Sequence, residues 1–448
     1  MRRPRRGAAL AALLVSVATA AAAPAAAPAR DRFDTRVLAL VPKPGFPAHA
    51  YVHPNGRIYA GTYDNPSGDT VPSRVFEYDG TEGTLLRSWT VQGQDLTKPH
   101  GVQAATSDAR GRIVLLDKSP PRILLLDRST GEQIPYASFP DGSIPNYAAW
   151  GPDGSLYVTD YGMPILWRVP PGGEGPPEPW LQDPRFDGGD FGTTGLALAA
   201  DQKTLLVAVQ SQAGGAGGNP STGRIFKLPI QPDGRPGTMT QLWESRPVDG
   251  PDGFAVADSG TLYVTLLAAN QIAVVGPDGA ERERFPSAPG SGENGSPVPF
   301  DSPSSARFLD TRLIVAQQSY FTGDPTHQAI LDVEAGEEGL DELIPFNAGL
   351  RDALAPRLKR ISLSRARLRF RLNERADVYV VFERRSGTKW RRLRESYQDL
   401  DAGTWTLSVR RLAGKPNGLR PGRYRATIRA IDKVGNEAAP IVRGLRIR

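Results

Sequence analysis

Residues 145–173 read PNYAAWGPDGSLYVTDYGMPILWRVPPGG. An apolar stretch opens at Pro145, a Pro-Asp-Gly turn follows, and two further runs, SLYVTDY and PILWRV, alternate or stay apolar. Short strands joined by tight turns leave this trace, because Asp-Gly accepts the backbone angles a hairpin needs. The unit recurs along the chain. TTGLALAADQKTLLVAVQ with GRIFKLPIQPDG from Thr193 and PDGFAVADSGTLYVTLLAANQIAVVGPDG from Pro251 are clear copies. PAHAYVHPNGRIYAGTYD with SRVFEYDG from Pro47, PHGVQAATSDARGRIVLLDKSPPRILLLD from Pro99, and PSSARFLDTRLIVAQQSYFTGD with HQAILDV from Pro303 are weaker ones.

One such copy cannot bury both faces of its strands alone, so the copies are expected to pack face to face around an axis. A spacing of roughly 40 to 55 residues suits four-stranded propeller blades, whereas a β-helix would show a shorter period and parallel strands. The fold expected is therefore all-β, a six-bladed β-propeller. The apolar stretch at 37–41 is expected to close the ring by completing the last blade beside residues 330–333.

After Pro345 the repeat stops. Alternation resumes from Leu358 as LKRISLS, RLRFRL, DVYVVFER, WTLSVRRL, RYRATIRAIDKVGN and IVRGLRIR. Six or seven strands in under about a hundred residues suit a small β-sandwich domain of the immunoglobulin or fibronectin kind. The divisions expected are a signal peptide at 1–29, the propeller at 30–350 and the basic sandwich at 356–448.

Net charge is +6, yet it is unevenly spread. From Pro356 onward there are 25 Lys/Arg against 8 Asp/Glu, a net +17, and residues 30–355 hold 25 against 40, a net −15. Such opposite fields favour docking of the sandwich on the propeller, or attraction of the sandwich to an anionic cell-surface polymer. A solvated basic face with no partner is the plainer alternative. Nucleic acid is not an expected partner, since no recognised binding module is present.

Arg2, Arg3, Arg5 and Arg6 precede an Ala-rich apolar run and small-x-small sites such as Ala27-Pro28-Ala29, the pattern of a secretory signal. The run is short and lacks a basic stop-transfer cluster, so no membrane span is expected in the mature protein, which should be secreted. With no cysteine in the chain, disulfides, thiolate metal sites and cysteine nucleophiles are excluded.

Propeller sites gather where the innermost strands begin, around the central channel. Counting back eight residues from the turn glycine or its equivalent in five copies, and matching the Pro-x-Gly start in the second, gives one position per blade: Ala48, His100, Asn146, Thr194, Asp252 and Ser304. All but Ala48 offer an oxygen or nitrogen ligand, a ring suited to a cation or a polar small molecule. The cluster Gln317, Gln318, Ser319, Tyr320 and Phe321 is a further candidate for lining the channel mouth, with Gln317 a substrate contact. Asp187 and Asp190, in DGGDFGTTG, are candidates to swing a carboxylate inward, against the plainer reading of a Gly-rich loop. His53, in HPNG, reads as a turn residue. AGGAGGNPSTG around Gly214 lacks the ending of a phosphate loop.

The copies at Pro145, Thr193 and Pro251, with the ending NQIAVVGPDG, resemble the senescence-marker-protein, gluconolactonase and luciferin-regenerating-enzyme family of propellers, over roughly residues 35–345. The resemblance implies a divalent metal, often calcium, in the channel and hydrolysis of lactones or related esters. It implies metal ligands at the first, fourth and fifth blades, a Glu, an Asn and an Asp, with a substrate-contacting Asn at the third. Asp252 and Asn146 match. Ala48 stands where the Glu is expected and Thr194 where the fourth-blade Asn is, which weakens the donor set for a hard cation.

Two functions follow. In the first, a secreted lactone or ester hydrolase, Asp252, Asn146 and Thr194 hold the metal. His100 and Asp252 act as catalytic groups, while Asn146, Thr194, Ser304 and Gln317 meet the substrate. In the second, the propeller is a non-catalytic extracellular binding protein tethered through its basic sandwich. A condensing activity like that of strictosidine-synthase-like propellers would call for a channel Glu, and no ring position has one.

Overall fold

The computed structural model describes residues 30–63, 68, 70–189, 191–211, 222–345, 355–432 and 437–447. The signal segment 1–29, Asp190 and the Gly-rich run around Gly214 lie outside them. Among the described residues no helix is long and apolar enough to cross a membrane.

Blade three shows how the repeat folds. Its strands Pro145–Trp150, Leu156–Asp160, Ile165–Val169 and Glu178–Gln182 pair antiparallel in sequence order. Gly154 makes the first turn at φ 81°, a backbone conformation that costs a residue without Cβ little. Gly151 N–H then donates to the Ser155 carbonyl at 2.9 Å across that turn. The first strand is wholly buried and the fourth partly exposed, which places the former on the axis and the latter at the rim.

Among the described residues, six four-stranded sheets of this kind occur between Thr35 and Glu334. Each covers its neighbour's face. Ala105, Val114, Leu116 and Ile123 of the second pack on Trp150, Leu156, Val158 and Trp167 of the third. Tyr157 and Leu166 of the third meet Leu196, Val207 and Phe226 of the fourth. Burying both faces removes the apolar surface that one copy alone would expose, at about 1.5–3 kcal/mol for each large side chain.

The ring closes as the sequence predicts. Thr35–Leu40 pairs antiparallel with Ala329–Glu334, placing Val37 opposite Leu331, so the last sheet joins the two ends of the propeller sequence. Arg30 adds to the seam by donating to Asp34 at 2.8 Å and Asp332 at 2.5 Å.

Beyond the propeller, Leu358–Leu363, Arg367–Leu372 and Gly403–Ser408 form one sheet, and Ala376–Ser386, Lys389–Leu400, Gly422–Asp432 and Ile441–Ile447 form another. Both contribute to one core, with Leu368, Phe370 and Leu372 facing Val378, Val380, Phe382, Ala426 and Ile428. In RLRFRL the arginines take the outward positions and the apolar residues the inward ones, as strand alternation requires.

The charge asymmetry meets at one seam. Asp258, in the hairpin after the fifth blade's first strand, is buried, and it pairs with Arg371 and with Arg360 at 3.0 Å. Lys359 lies 3.1 Å from Asp341, and Arg357 reaches Asp310 at 3.8 Å and Asp341 at 3.7 Å. The connecting segment is fastened too, Leu340 N–H donating to the Val256 carbonyl at 2.9 Å. Ion pairs tie the sandwich to the face of the propeller where the innermost strands end.

Candidate functional site

At the start of each innermost strand the ring residues stand close to the positions read from the sequence, and all are buried. What differs is their engagement. Ser304 Oγ donates to the Ala48 carbonyl at 2.8 Å, linking blades six and one. Thr194 Oγ1 lies 3.3 and 3.2 Å from the carbonyls of Pro251 and Asp252, linking four and five. Asn146 accepts from Gln103 Nε2 at 2.7 Å and faces the Thr193 carbonyl at 3.3 Å. The ring positions lace blade to blade.

His100 has both ring nitrogens at carbonyls, Nδ1 2.9 Å from Lys98 O and Nε2 2.7 Å from Val71 O. Facing two acceptors, the imidazole has no lone pair directed at the channel for use as a base or a ligand. The catalytic assignment from sequence does not fit this geometry. Gln317 is also placed elsewhere: in the sixth blade's second strand its amide holds the carbonyls of Pro299 at 3.0 Å and His327 at 2.7 Å. It braces a loop rather than lining the mouth. Tyr320 and Phe321 are solvent-exposed, their rings 5.4 Å apart. Asp187 is exposed, accepting from Gly189 N–H at 3.0 Å, and does not enter the channel. His53 is the turn residue expected, its Nδ1 accepting from Asn55 N–H at 3.1 Å, and burial lowers its pKa to about 4.

The axis is occupied by a residue the ring count passes over. Tyr147, on the third blade, donates to the Ser304 carbonyl of the sixth at 2.7 Å and stands 3.4 Å from Asp252 Oδ1 of the fifth. Its ring meets His49 of the first blade edge-on at 4.9 Å, and the Arg307 guanidinium lies 5.8 Å from it. A third-blade side chain that touches blades one, five and six crosses the channel. Room for it comes from Gly253, where a Cβ would collide with the phenol oxygen and lie 2.8 Å from the Ser304 carbonyl. An inward-pointing Tyr opposite a Gly at the matching repeat position was the available signal.

Burial dominates the electrostatics. Asp252 is held well above the usual carboxylate range by desolvation, opposed only by the Tyr147 contact, and no basic side chain acts on it. His49 is pushed well below its usual value by desolvation and by Arg307, with its Nδ1 on the Ala104 carbonyl pulling the other way. Among the described residues, His49 Nε2 and Gln103 Oε1 are buried without a hydrogen-bond partner.

The donor set was tested against a divalent cation. It offers one buried carboxylate, one amide oxygen already accepting from Gln103, and one hydroxyl directed at carbonyls. Among the described residues no group of three or more His, Asp or Glu comes together as a metal cluster. Asp252, Asn146 and Thr194 do not fit a hard cation, which wants several charged or carbonyl oxygens around it. At the other end of the channel a cavity of about 70 Å³ is lined by Trp150, Leu198, Val256, Arg307, Asp341 and Glu342. The segment leading to the sandwich covers that mouth.

No model of a known protein family matches the chain, and no curated protein does. Among solved structures it is similar to regucalcin, a calcium-binding protein from Agrobacterium tumefaciens strain C58, at 15% identity over 69% of this chain and 96% of that one, TM-score 0.51. A proposed gluconolactonase aligns at 16% identity over 69% and 94% of the two chains, TM-score 0.47. A gluconolactonase from Xanthomonas campestris aligns at 18% identity over 68% and 98%, TM-score 0.42. The likeness to regucalcin is one of fold, a β-propeller.

Proposed function

We propose that the chain is a secreted, non-catalytic binding protein whose propeller channel serves as a structural axle and whose basic sandwich makes the tether. The observation that carries this reading is Tyr147, which crosses the axis and bonds to the far blade where a hydrolase of this fold would need an open, ion-lined pocket. The engagement of Ser304, Thr194, Asn146 and His100 with other blades or backbone carbonyls supports it, because each is already committed to the fold. Propellers host many unrelated functions, so the fold alone does not bring hydrolysis with it.

The test is calorimetric titration of Ca²⁺, Mn²⁺ and Zn²⁺ into the metal-stripped mature chain, beside a panel of lactones and carboxylic esters. No saturable heat and no turnover above buffer are expected. Metal binding that disappears in Asp252→Ala, together with metal-dependent lactone turnover, would restore the hydrolase.

A further inference from the structure

In the sandwich, Lys389–Leu400 is an edge strand beside Ala376–Ser386. Their register puts Gln398 opposite Val378, Ser396 opposite Val380 and Arg394 opposite Phe382. Residues directly opposite in an antiparallel pair share a face. Val378, Val380 and Phe382 are fully buried core residues, so Gln398, Ser396 and Arg394 stand on the core side of the sheet. Covered positions there would be apolar. Their polarity marks a lip where this four-stranded sheet overhangs the three-stranded one.

The lip has a second wall. The facing sheet ends with Gly403–Ser408, and the short turn Val409–Leu412 sends Val409 and Leu412 into the core and leaves Arg410 and Arg411 exposed. Between the walls lies a groove of about 640 Å³, lined by Arg394, Ser396, Gln398, Ser408, Arg410 and Arg411 among others. Among the described residues, no acidic side chain lines it. Some arginines elsewhere in the domain are paired with carboxylates, as Arg425 is with Glu383 and Arg375 with Asp399.

We propose that this groove binds a carboxylated polysaccharide. The planar guanidinium fork matches the two oxygens of a carboxylate, and three of them side by side suit an anion repeated along a chain. Ser396, Ser408 and Gln398 supply the neutral donors and acceptors that sugar hydroxyls need. Among the described residues, no aromatic side chain lines the groove for stacking bases. Its apolar members are the buried Leu412 and a proline, too little to enter a bilayer. The proposal rests on the binding-protein reading and names its partner.

The experiment uses the full mature chain and polygalacturonate at moderate salt, with the fully methyl-esterified polymer, phosphatidylglycerol vesicles and a single-stranded oligonucleotide as competitors. Saturable binding to polygalacturonate is expected, absent with the esterified polymer and weaker with the other two. The triple variant Arg394→Ala, Arg410→Ala, Arg411→Ala should bind about tenfold more weakly, as loss of charge-assisted hydrogen bonds implies. The control triple Arg365→Ala, Arg369→Ala, Arg446→Ala removes the same charge from exposed sites elsewhere on the domain and should stay within about twofold. Arg411→Glu alone serves if the first triple unfolds. Equal loss in both triples, tighter binding to vesicles or oligonucleotide, or no binding at all overturns the groove. Lactone turnover measured on the same samples separates the two proposals: turnover with intact, groove-dependent binding removes only the non-catalytic reading.

Discussion

Tyr147 and Ser304 sit on opposite blades of the ring, and the phenol of one donates to the backbone carbonyl of the other at 2.7 Å across the central axis. An inner-strand side chain usually packs against the adjacent blade. This one joins the far side, so the channel's stability and its closure rest on the same contact.

Tyr147→Phe keeps the ring and loses the hydrogen bond, and should cost about 1 kcal/mol. Tyr147→Ala empties the axis and should cost about 3–5 kcal/mol in urea unfolding. Gly253→Ala collides with the phenol and should cost about 1–3 kcal/mol. Combined with Tyr147→Ala it should cost less than the sum, because the larger change removes the atom in the way. Strict additivity would mean that Tyr147 does not lie against Gly253.

Asp252 contributes to the pH dependence. Its pKa is raised by burial, so the folded state prefers the protonated carboxyl. The stability tied to it is complete below about pH 4 and is lost as pH rises through the raised value. Asp252→Asn, neutral and of the same shape, should therefore stabilise the protein at pH 7.5 by about 1 kcal/mol or more and leave it unchanged at pH 4. Chemical unfolding at the two pH values checks this, and destabilisation at pH 7.5 that disappears with a chelator would instead indicate a cation on the carboxylate.

Asp258 is the centre of the domain seam. It is buried with Arg371 and Arg360 against it, and Arg371 is itself desolvated there. Asp258→Ala leaves two partly exposed cations without their anion, a loss of about 1–3 kcal/mol. Calorimetry should show one transition splitting into two as the sandwich melts apart from the propeller. A single unshifted transition would count against the seam.

Ring closure depends on the first strand. A chain beginning at residue 41 leaves Ala329–Glu334 as an unpaired, fully buried-type edge and removes Arg30 from Asp332. Exposed edges of this kind recruit other chains. Light scattering should find aggregates where the mature chain is monodisperse, and adding residues 30–40 as a separate peptide should reduce them.

The repeat made the propeller legible because turn and strand signals are local: Asp153-Gly154 followed by LYVTD means a hairpin wherever it occurs. The closing strand was legible for a similar reason, since an apolar run before the first copy needs a partner and the last copy lacks one. The outward arginines of the sandwich follow from alternation alone. His100, Asn146, Thr194, Asp252 and Ser304 are buried at or just before the first strands of their blades, as the repeat spacing placed them.

Their chemistry was not legible. Whether Thr194 Oγ faces a cation or two carbonyls, whether His100 keeps a free nitrogen, and whether Tyr147 crosses the axis depend on the approach of blades dozens to hundreds of residues away. The same holds for the sandwich: composition locates its charge, but only the overhang of one sheet beyond the other turns Arg394, Arg410 and Arg411 into one groove. Sequence by itself determined the elements, their number and the place of the channel, because those follow from local turn chemistry and strand period. Tertiary structure alone decided that the channel is filled and its donors paired, because burial and hydrogen bonding between distant blades set what each side chain has left to offer.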